Sequence, residues 1–117
     1  MTTHTNDIDS AQLPATIRAF LAAHAAREVD AAMRAFAADP LVVDQDETFE
    51  GTEQVRHFLT DAGTEFTYTS ELVGARRTDD TQRVALIHLE GDFPGGVADL
   101  EYAFVLDGDL VSELRIR

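Results

Sequence analysis

Asp44 is the residue whose type and position most directly suggest chemistry. It follows the apolar run 41–43, which predicts a short strand. A carboxylate at the mouth of an apolar pocket loses hydration, which raises its pKa toward the range of a general base. The competing interpretation is an Asp that begins a turn after the strand, and the acidic residues at positions 46, 47 and 50 fit it.

The four histidines are the other candidates for proton transfer or metal binding. His24 falls on the apolar face of a predicted helix, so it either reaches a pocket or closes the helix as a half-buried residue. His4 and His57 are expected in solvent, and His88 on the outer face of a sheet. No two histidines have the spacing of a helical zinc motif, so the sequence predicts no metal site.

The composition excludes several classes of reaction. The chain has no Cys and no Lys, because all nine basic residues are Arg. Thiolate nucleophiles, disulfides, Cys-ligated metals and a Schiff base on a lysine are therefore excluded. The glycine-rich segment 91–96 contains Pro94 and opens no helix, so it is not a nucleotide-binding loop. We predict that no cofactor is used.

The charge of the chain indicates which partners to expect. Nine basic and 22 acidic residues give 9 − 22 = −13, a charge that repels nucleic acid and anionic membrane surfaces. No apolar stretch approaches the length of a spanning helix, and the first ten residues do not resemble a signal peptide. The sequence predicts a cytoplasmic protein.

The first half of the chain is mainly helical in pattern. Residues 1–11 predict a flexible arm, and 12–117 a single domain. One helix starts near Leu13, and a second runs through 29–36 until Asp39-Pro40 ends it. A third helix follows Gly51 and stops near Gly63, after a polar connection over 44–50.

The second half changes to the alternating pattern of strands, at 66–77, 83–91, 97–106 and 110–117. Helices segregated from antiparallel strands predict an α+β fold, with three helices packed on one face of a curved sheet. The opposite face keeps apolar residues at Val84, Leu86, Ala103 and Val105. An exposed apolar patch of this kind predicts a homodimer through the outer sheet face.

The sequence resembles the NTF2-like superfamily, and within it the SnoaL-like and steroid delta-isomerase-like proteins. The segments that carry the resemblance span residues 12–117 and read LPATIRAFLAAH, VDAAMRAFAADPLVVD, FEGTEQVRHFL and YAFVLDGDLVSELRI. It implies a cystatin-like cone, in which a strongly curved sheet wraps a long helix around an apolar pocket. Dimerisation through the sheet is also common in that superfamily.

The resemblance also implies roles for three residues. It places the proton-shuttling Asp of the steroid isomerases on Asp44, and one of their two donors to the enolate oxygen on Tyr102. Their other donor, a Tyr on the first helix, falls on Phe20, which has no hydroxyl. That difference argues against authentic steroid isomerase activity. Tyr102 has a second interpretation, as a strand aromatic whose hydroxyl finds a partner at the pocket mouth.

Two functions remain open at this point. One is a dimeric binding protein for a small apolar molecule; the other is a cofactor-free isomerase, cyclase or dehydratase acting on a carbonyl compound. In the enzyme, Asp44 is the base, Tyr102 polarises the carbonyl and His24 assists. In both cases the predicted pocket lining is Phe20, Val43, Phe49, Phe58, Phe66, Ile87, Leu89, Phe104 and Leu114.

Overall fold

The computed structural model describes residues 7–61 and 67–117, and it contains the predicted helices and strands in their predicted order together with two strands that were not predicted. The helices are a 3-10 turn at Ser10–Gln12, α1 at Ala15–Ala25, α2 at Val29–Met33 and α3 at Gly51–Asp61. The strands are β1 (Asp7–Ile8), β2 (Phe36–Asp44), β3 (Glu47–Glu50), β4 (Tyr68–Arg77), β5 (Gln82–Gly91), β6 (Val97–Asp107) and β7 (Leu110–Ile116).

The described strands form one sheet in the order β1-β4-β5-β6-β7-β2-β3. Neighbours are antiparallel except for β2 and β7, which are parallel. The α+β class is therefore confirmed, but the sheet is more than a simple succession of hairpins. β7 lies in the interior of the sheet, where it joins the pair β2–β3 to the other described strands.

The second helix is shorter than predicted, because β2 takes over its C-terminal part. α2 ends at Met33, and Phe36 begins β2 instead of completing an apolar helical stripe. Pro40 lies within the strand, where the register between β2 and β7 shifts. An irregular ladder of this kind tolerates a proline, which has no N–H to donate.

The predicted polar connection at 44–50 contains a strand. β3 pairs with β2 as a hairpin, in which Val42 faces Phe49 and Asp44 faces Glu47. Gln45 adopts a left-handed φ of +56° at the turn. The strand was not predicted from the sequence, because its acidic side chains break the apolar alternation by which a strand is recognised.

Part of the predicted N-terminal arm has a defined structure. Asp7 and Ile8 pair with the outer edge of β4, opposite Arg76 and Ala75. Asp9 then caps the 3-10 turn through its side chain. Residues 1–6, the predicted helix stop at Gly63 and the predicted pocket residue Phe66 lie outside the described residues.

The core lies between α1 and the inner face of the sheet. Phe20 is fully buried, and its ring meets Phe36 at 5.4 Å and Phe104 at 5.8 Å in edge-to-face contacts. Such pairs contribute about 0.5–1.5 kcal/mol each beyond the burial of their surface. α3 covers a neighbouring part of the sheet with the face predicted from its sequence, which consists of Val55, Phe58 and Leu59.

α1 ends in a hydrogen-bonded turn that contains Arg27. The N–H of Glu28 donates to Ala23 O at 2.8 Å, and the N–H of Arg27 to His24 O at 3.1 Å. These paired bonds form a Schellman motif, whose left-handed residue is usually glycine. Here it is Arg27, with a φ of +59°.

Candidate functional site

A cavity of about 340 Å³ opens between α1 and the sheet. Its volume is at the lower end of the range for small-molecule sites, about 300–1,000 Å³. The apolar lining comes from Leu21, Ala22, Ala25, Leu72, Ile87 and Leu89. The polar lining comes from Arg18, His24, Tyr68, Ser70, Glu71 and Tyr102.

Tyr102 is the most buried polar side chain of this lining. The residue is only 7% exposed, and its hydroxyl makes no hydrogen bond to any residue in 7–61 or 67–117. Burial, with smaller contributions from Tyr68 and Asp44, raises the pKa of Tyr102 far above its ordinary value. Tyr102 is therefore a permanently protonated donor. Buried polar groups almost always have a partner, so a buried donor without one indicates a ligand or an ordered water.

Asp44 lies at the end of β2, on the same strand face as the fully buried Val42. Burial raises the pKa of Asp44, and the negative charge of Glu47 raises it further. The carboxylate lines a separate depression of about 190 Å³, together with Phe49 and Phe58. Asp44 can thus exchange a proton, but it borders this depression and not the larger cavity.

His24 stands between these two spaces. It lines the larger cavity, and its ring stacks on Phe20 at 5.6 Å and on Phe58 at 6.2 Å. Phe58 in turn lines the depression around Asp44. Burial, and then the positive charge of Arg27, lower the pKa of His24. The imidazole is consequently neutral at pH 7, so one ring nitrogen can donate a hydrogen bond and the other can accept one.

The structure separates the predicted pocket residues into several groups. Ile87 and Leu89 line the cavity between α1 and the sheet. Phe49 and Phe58 line the depression around Asp44 instead. Three others are at most 1% exposed and fill the core, so they have no surface to offer a ligand: Phe20, Phe104 and Leu114.

Val43 is placed on the other face of its strand. Successive side chains of a strand alternate, and Val42 is the one that points into the core. Val43 therefore lines a shallow surface depression, next to Arg115 of β7. The sequence prediction assigned the whole apolar run to the pocket because a run without alternation does not show which face is inside.

β4 supplies the part of the site that sequence analysis missed. Tyr68, Ser70 and Leu72 alternate along the strand and line the cavity. The guanidinium of Arg27 lies over the Tyr68 ring, 5.6 Å from its centre. The available signal was that Tyr68 is one of only two tyrosines in the chain, the other being Tyr102.

Within 7–61 and 67–117, no group of three or more His, Asp or Glu side chains is arranged to hold a metal ion. Over those same ranges, no helix combines the length and apolar character needed to cross a membrane.

Comparison with known proteins identifies the fold. No family model and no curated protein sequence matches the chain. A provisionally assigned polyketide cyclase from Sinorhizobium meliloti superposes with a TM-score of 0.85 at 23% identity, over 94% of this chain and 100% of that chain.

Two other solved structures are similar over most of their length. A Catenulispora acidiphila protein with a ketosteroid isomerase-like fold, in complex with trimethylamine, gives a TM-score of 0.76 at 18% identity, covering 89% of this chain and 85% of that one. A Mycobacterium tuberculosis protein in complex with estradiol-17β-hemisuccinate gives a TM-score of 0.70 at 12% identity, covering 86% of this chain and 88% of that one. The chain therefore has the NTF2-like, or cystatin-like, fold, as its sequence predicted.

Proposed function

We propose that this protein binds a small, uncharged, mainly apolar molecule that carries a carbonyl oxygen, in the cavity between α1 and β4–β6. The observation that carries the proposal is the buried hydroxyl of Tyr102. It donates to no described residue, and the apolar residues Leu72, Ile87 and Leu89 line the same cavity. A carbonyl oxygen satisfies this donor, while the apolar body of the ligand covers Leu72, Ile87 and Leu89.

Charge favours a neutral ligand over an anionic one. The chain carries a net charge of −13, and the Asp44 carboxylate is close enough to affect the pKa of Tyr102. A second negative charge in that region would be repelled. The steroid-derived ligand of the Mycobacterium tuberculosis protein supports the general class, an apolar body with oxygen substituents.

Binding of simple aryl ketones tests the proposal. We expect 2-acetylnaphthalene to bind the wild type, and Tyr102→Phe to bind it about tenfold more weakly, because one hydrogen bond to a buried donor is lost. Ser112→Ala is the matched control, since it deletes a hydroxyl on β7 that bonds to Val105 O outside the cavity. Equal affinities for wild type and Tyr102→Phe, measured by calorimetry, would refute the proposed contact.

A second candidate function is catalysis, and the raised pKa of Asp44 favours it. In this hypothesis Asp44 removes a proton next to the ligand carbonyl while Tyr102 donates to the carbonyl oxygen. Asp44 borders the adjoining depression, so the ligand must extend past His24 and Phe58 to meet it.

Deuterium exchange separates the two functions. A catalyst accelerates exchange of the acetyl protons of 2-acetylnaphthalene in D₂O, measured by proton NMR. Asp44→Asn is then expected to abolish the acceleration while changing ketone affinity by no more than a few fold. Exchange at the solvent rate in the presence of wild type would leave binding as the function.

We also propose that the protein is a homodimer through the outer sheet face. Of the four apolar side chains predicted there, Val84 is already buried in the single chain, whereas Leu86, Ala103 and Val105 are only half-buried. Arg76 and Arg117 flank this patch and bond to Glu101, at 2.9 Å and 3.4 Å. An apolar centre with a charged rim is the usual composition of an interface.

A further inference from the structure

Tyr68 is held at the cavity mouth by contacts from three directions. The first is Gly91, its partner across the ladder between β4 and β5. A Cβ at position 91 would lie 2.5 Å from the Cβ of Tyr68 and 2.7 Å from its Cα, closer than real Cβ contacts. Only glycine at this position lets the two strands approach as they do, with Tyr68 over the bare backbone.

The second constraint fixes the residue before Tyr68. The N–H of Thr67 donates to the Asp92 carboxylate at 2.9 Å, and the N–H of Asp92 donates to Thr67 O at 3.0 Å. This reciprocal pair ties the start of β4 to the end of β5. Tyr68 therefore begins its strand from a fixed backbone position.

The third constraint comes from α1. Arg27 stacks on the ring of Tyr68, and it does so from a left-handed backbone conformation that costs about 1 kcal/mol or more for a residue other than glycine. A cation over an aromatic face is attractive by about 0.5–1 kcal/mol at an exposed site. Strained residues of this kind cluster at ligand sites.

The two tyrosines face one cavity from different strands. Both line it, and each hydroxyl is without a hydrogen bond to any described residue, including the other tyrosine. They are nevertheless near enough for Tyr68 to affect the ionisation of Tyr102. The cavity thus presents two separate tyrosine hydroxyls, with an apolar wall that includes Leu72 of β4 and Ile87 and Leu89 of β5.

We propose that Tyr68 is a second ligand-binding hydroxyl, and that the cavity selects an apolar molecule with two acceptor oxygens, one for Tyr102 and one for Tyr68. This inference rests on the proposed binding function. It is separable from a structural role, because phenylalanine would serve the Gly91 and Arg27 contacts equally well. Only the hydroxyl distinguishes a ligand contact from a packing contact.

The test compares ketones with one and two oxygens. The probes are acetophenone with 1,4-diacetylbenzene, and 2-acetylnaphthalene with 2,6-diacetylnaphthalene, which differ in the distance between their oxygens. We expect the wild type to bind at least one diketone about fivefold more tightly than its monoketone. A symmetrical diketone gains only about twofold from having two equivalent orientations, so about fivefold requires a second contact.

The decisive variant is Tyr68→Phe. It is expected to reduce the diketone preference to the twofold statistical value, whereas the control Ser112→Ala keeps the wild-type preference. An unchanged preference in Tyr68→Phe overturns the inference and leaves the Tyr102 contact intact.

Carbon NMR gives a second, independent measurement. With ¹³Cζ-labelled tyrosine the protein has two signals, which the Tyr→Phe variants assign. A saturating diketone is expected to shift both signals, and a shift of the Tyr102 signal alone overturns the inference. If no ketone binds and neither signal moves, the proposed binding function fails and this inference fails with it.

Discussion

At the scale of single residues, the pKa values of His24 and Asp44 are both shifted toward the neutral forms of these groups. Burial lowers the pKa of His24 and raises the pKa of Asp44. The same physical cause acts on both, because a poorly hydrated environment disfavours charge of either sign. A site of this kind suits an uncharged ligand, and the shifts make the stability of the fold depend on pH in two predictable ways.

Asp44→Asn is expected to stabilise the protein at neutral pH. Because the folded pKa of Asp44 exceeds its ordinary value of 3.8, the folded state binds protons more tightly than the unfolded state. Stability is therefore lost as pH rises through this range, and the loss persists at pH 7. Thermal unfolding should show a higher Tm for Asp44→Asn, with no difference at pH values below 3.8.

Asp46→Asn is the control for that experiment. It removes the same charge from the same hairpin at an exposed position. If the two variants raise the Tm equally, general relief of acidic repulsion explains the effect and the burial of Asp44 does not.

Titration of His24 makes stability depend on pH with the opposite sign. The folded state resists protonation of this imidazole, so the unfolded state gains protons first as the pH falls below 6.5. Stability contributed by neutral His24 is thus present above pH 6.5 and lost below it. His24→Phe keeps a ring between Phe20 and Phe58 and is expected to lose less Tm between about pH 7.5 and about pH 5. A loss as large as that of wild type, or of the control His57→Gln, would contradict this assignment.

At the scale of elements, the close approach of β4 and β5 determines the shape of the cavity mouth. Tyr68 and Gly91 start and end their strands opposite each other, where a side chain at position 91 has no room. Farther along the same two strands, Gly74 faces Leu86, and an added Cβ there meets the flexible end of a leucine side chain at 3.0 Å. Substitution of each glycine by alanine therefore compares a position where backbone atoms block the added methyl group with one where a flexible side chain can move aside.

Gly91→Ala is expected to cost about 1–3 kcal/mol in free energy of unfolding, because backbone atoms must move to admit the methyl group. It should also reduce the preference for a diketone over its monoketone, through displacement of Tyr68. Gly74→Ala should cost less and leave binding as in wild type. Urea denaturation measures the first effect, and similar costs for both variants would argue against a special constraint at Gly91.

The elements that could be predicted from sequence are those with an uninterrupted period. α3 has its expected buried face, and β5, β6 and β7 lie close to their predicted bounds. The strand predicted at 41–43 was shorter than β2, because Phe36 continues the spacing of the preceding helix and because a proline such as Pro40 normally ends an element. Its parallel pairing with β7 depends on residues far apart in the chain, which no local pattern reveals.

The site was harder to predict than the fold. Large aromatic residues mark the interior without showing whether they fill it or line a space, and Phe20 and Phe104 fill it. Tyr68 was missed because its importance comes from Gly91 and Arg27, which are distant in sequence. The positions of Asp44, Tyr102 and His24 near one another follow from the fold, but their roles remain predictions.

At the scale of the whole molecule, the two faces of the sheet carry different kinds of side chains. The inner face carries the core and the cavity. On the outer face, Arg76 and Arg117 meet the side chain of Glu101 beside half-buried Ala103 and Val105. Association through the outer face would leave the cavity accessible in both copies.

Ala103→Glu is expected to convert a dimer into a monomer, because it places a charge in the middle of the proposed interface. Ala19→Glu makes the same change on the exposed side of α1 and should leave the dimer intact. Sedimentation velocity at micromolar concentration distinguishes the two states. A wild type that sediments as a monomer, or an Ala103→Glu variant that still dimerises, would refute the interface.

The interior position of β7 has a consequence for synthesis on the ribosome. β7 is made after the other described strands, and it pairs with β6 on one side and with β2, made among the first, on the other. Until Leu110–Ile116 emerges, β2 and β3 have no bond to the larger part of the sheet. Until then the nascent chain carries two incomplete parts of the sheet, whose open edges can pair with other chains. The sheet of the described residues is therefore complete only after β7 has emerged, and its edges stay open until then.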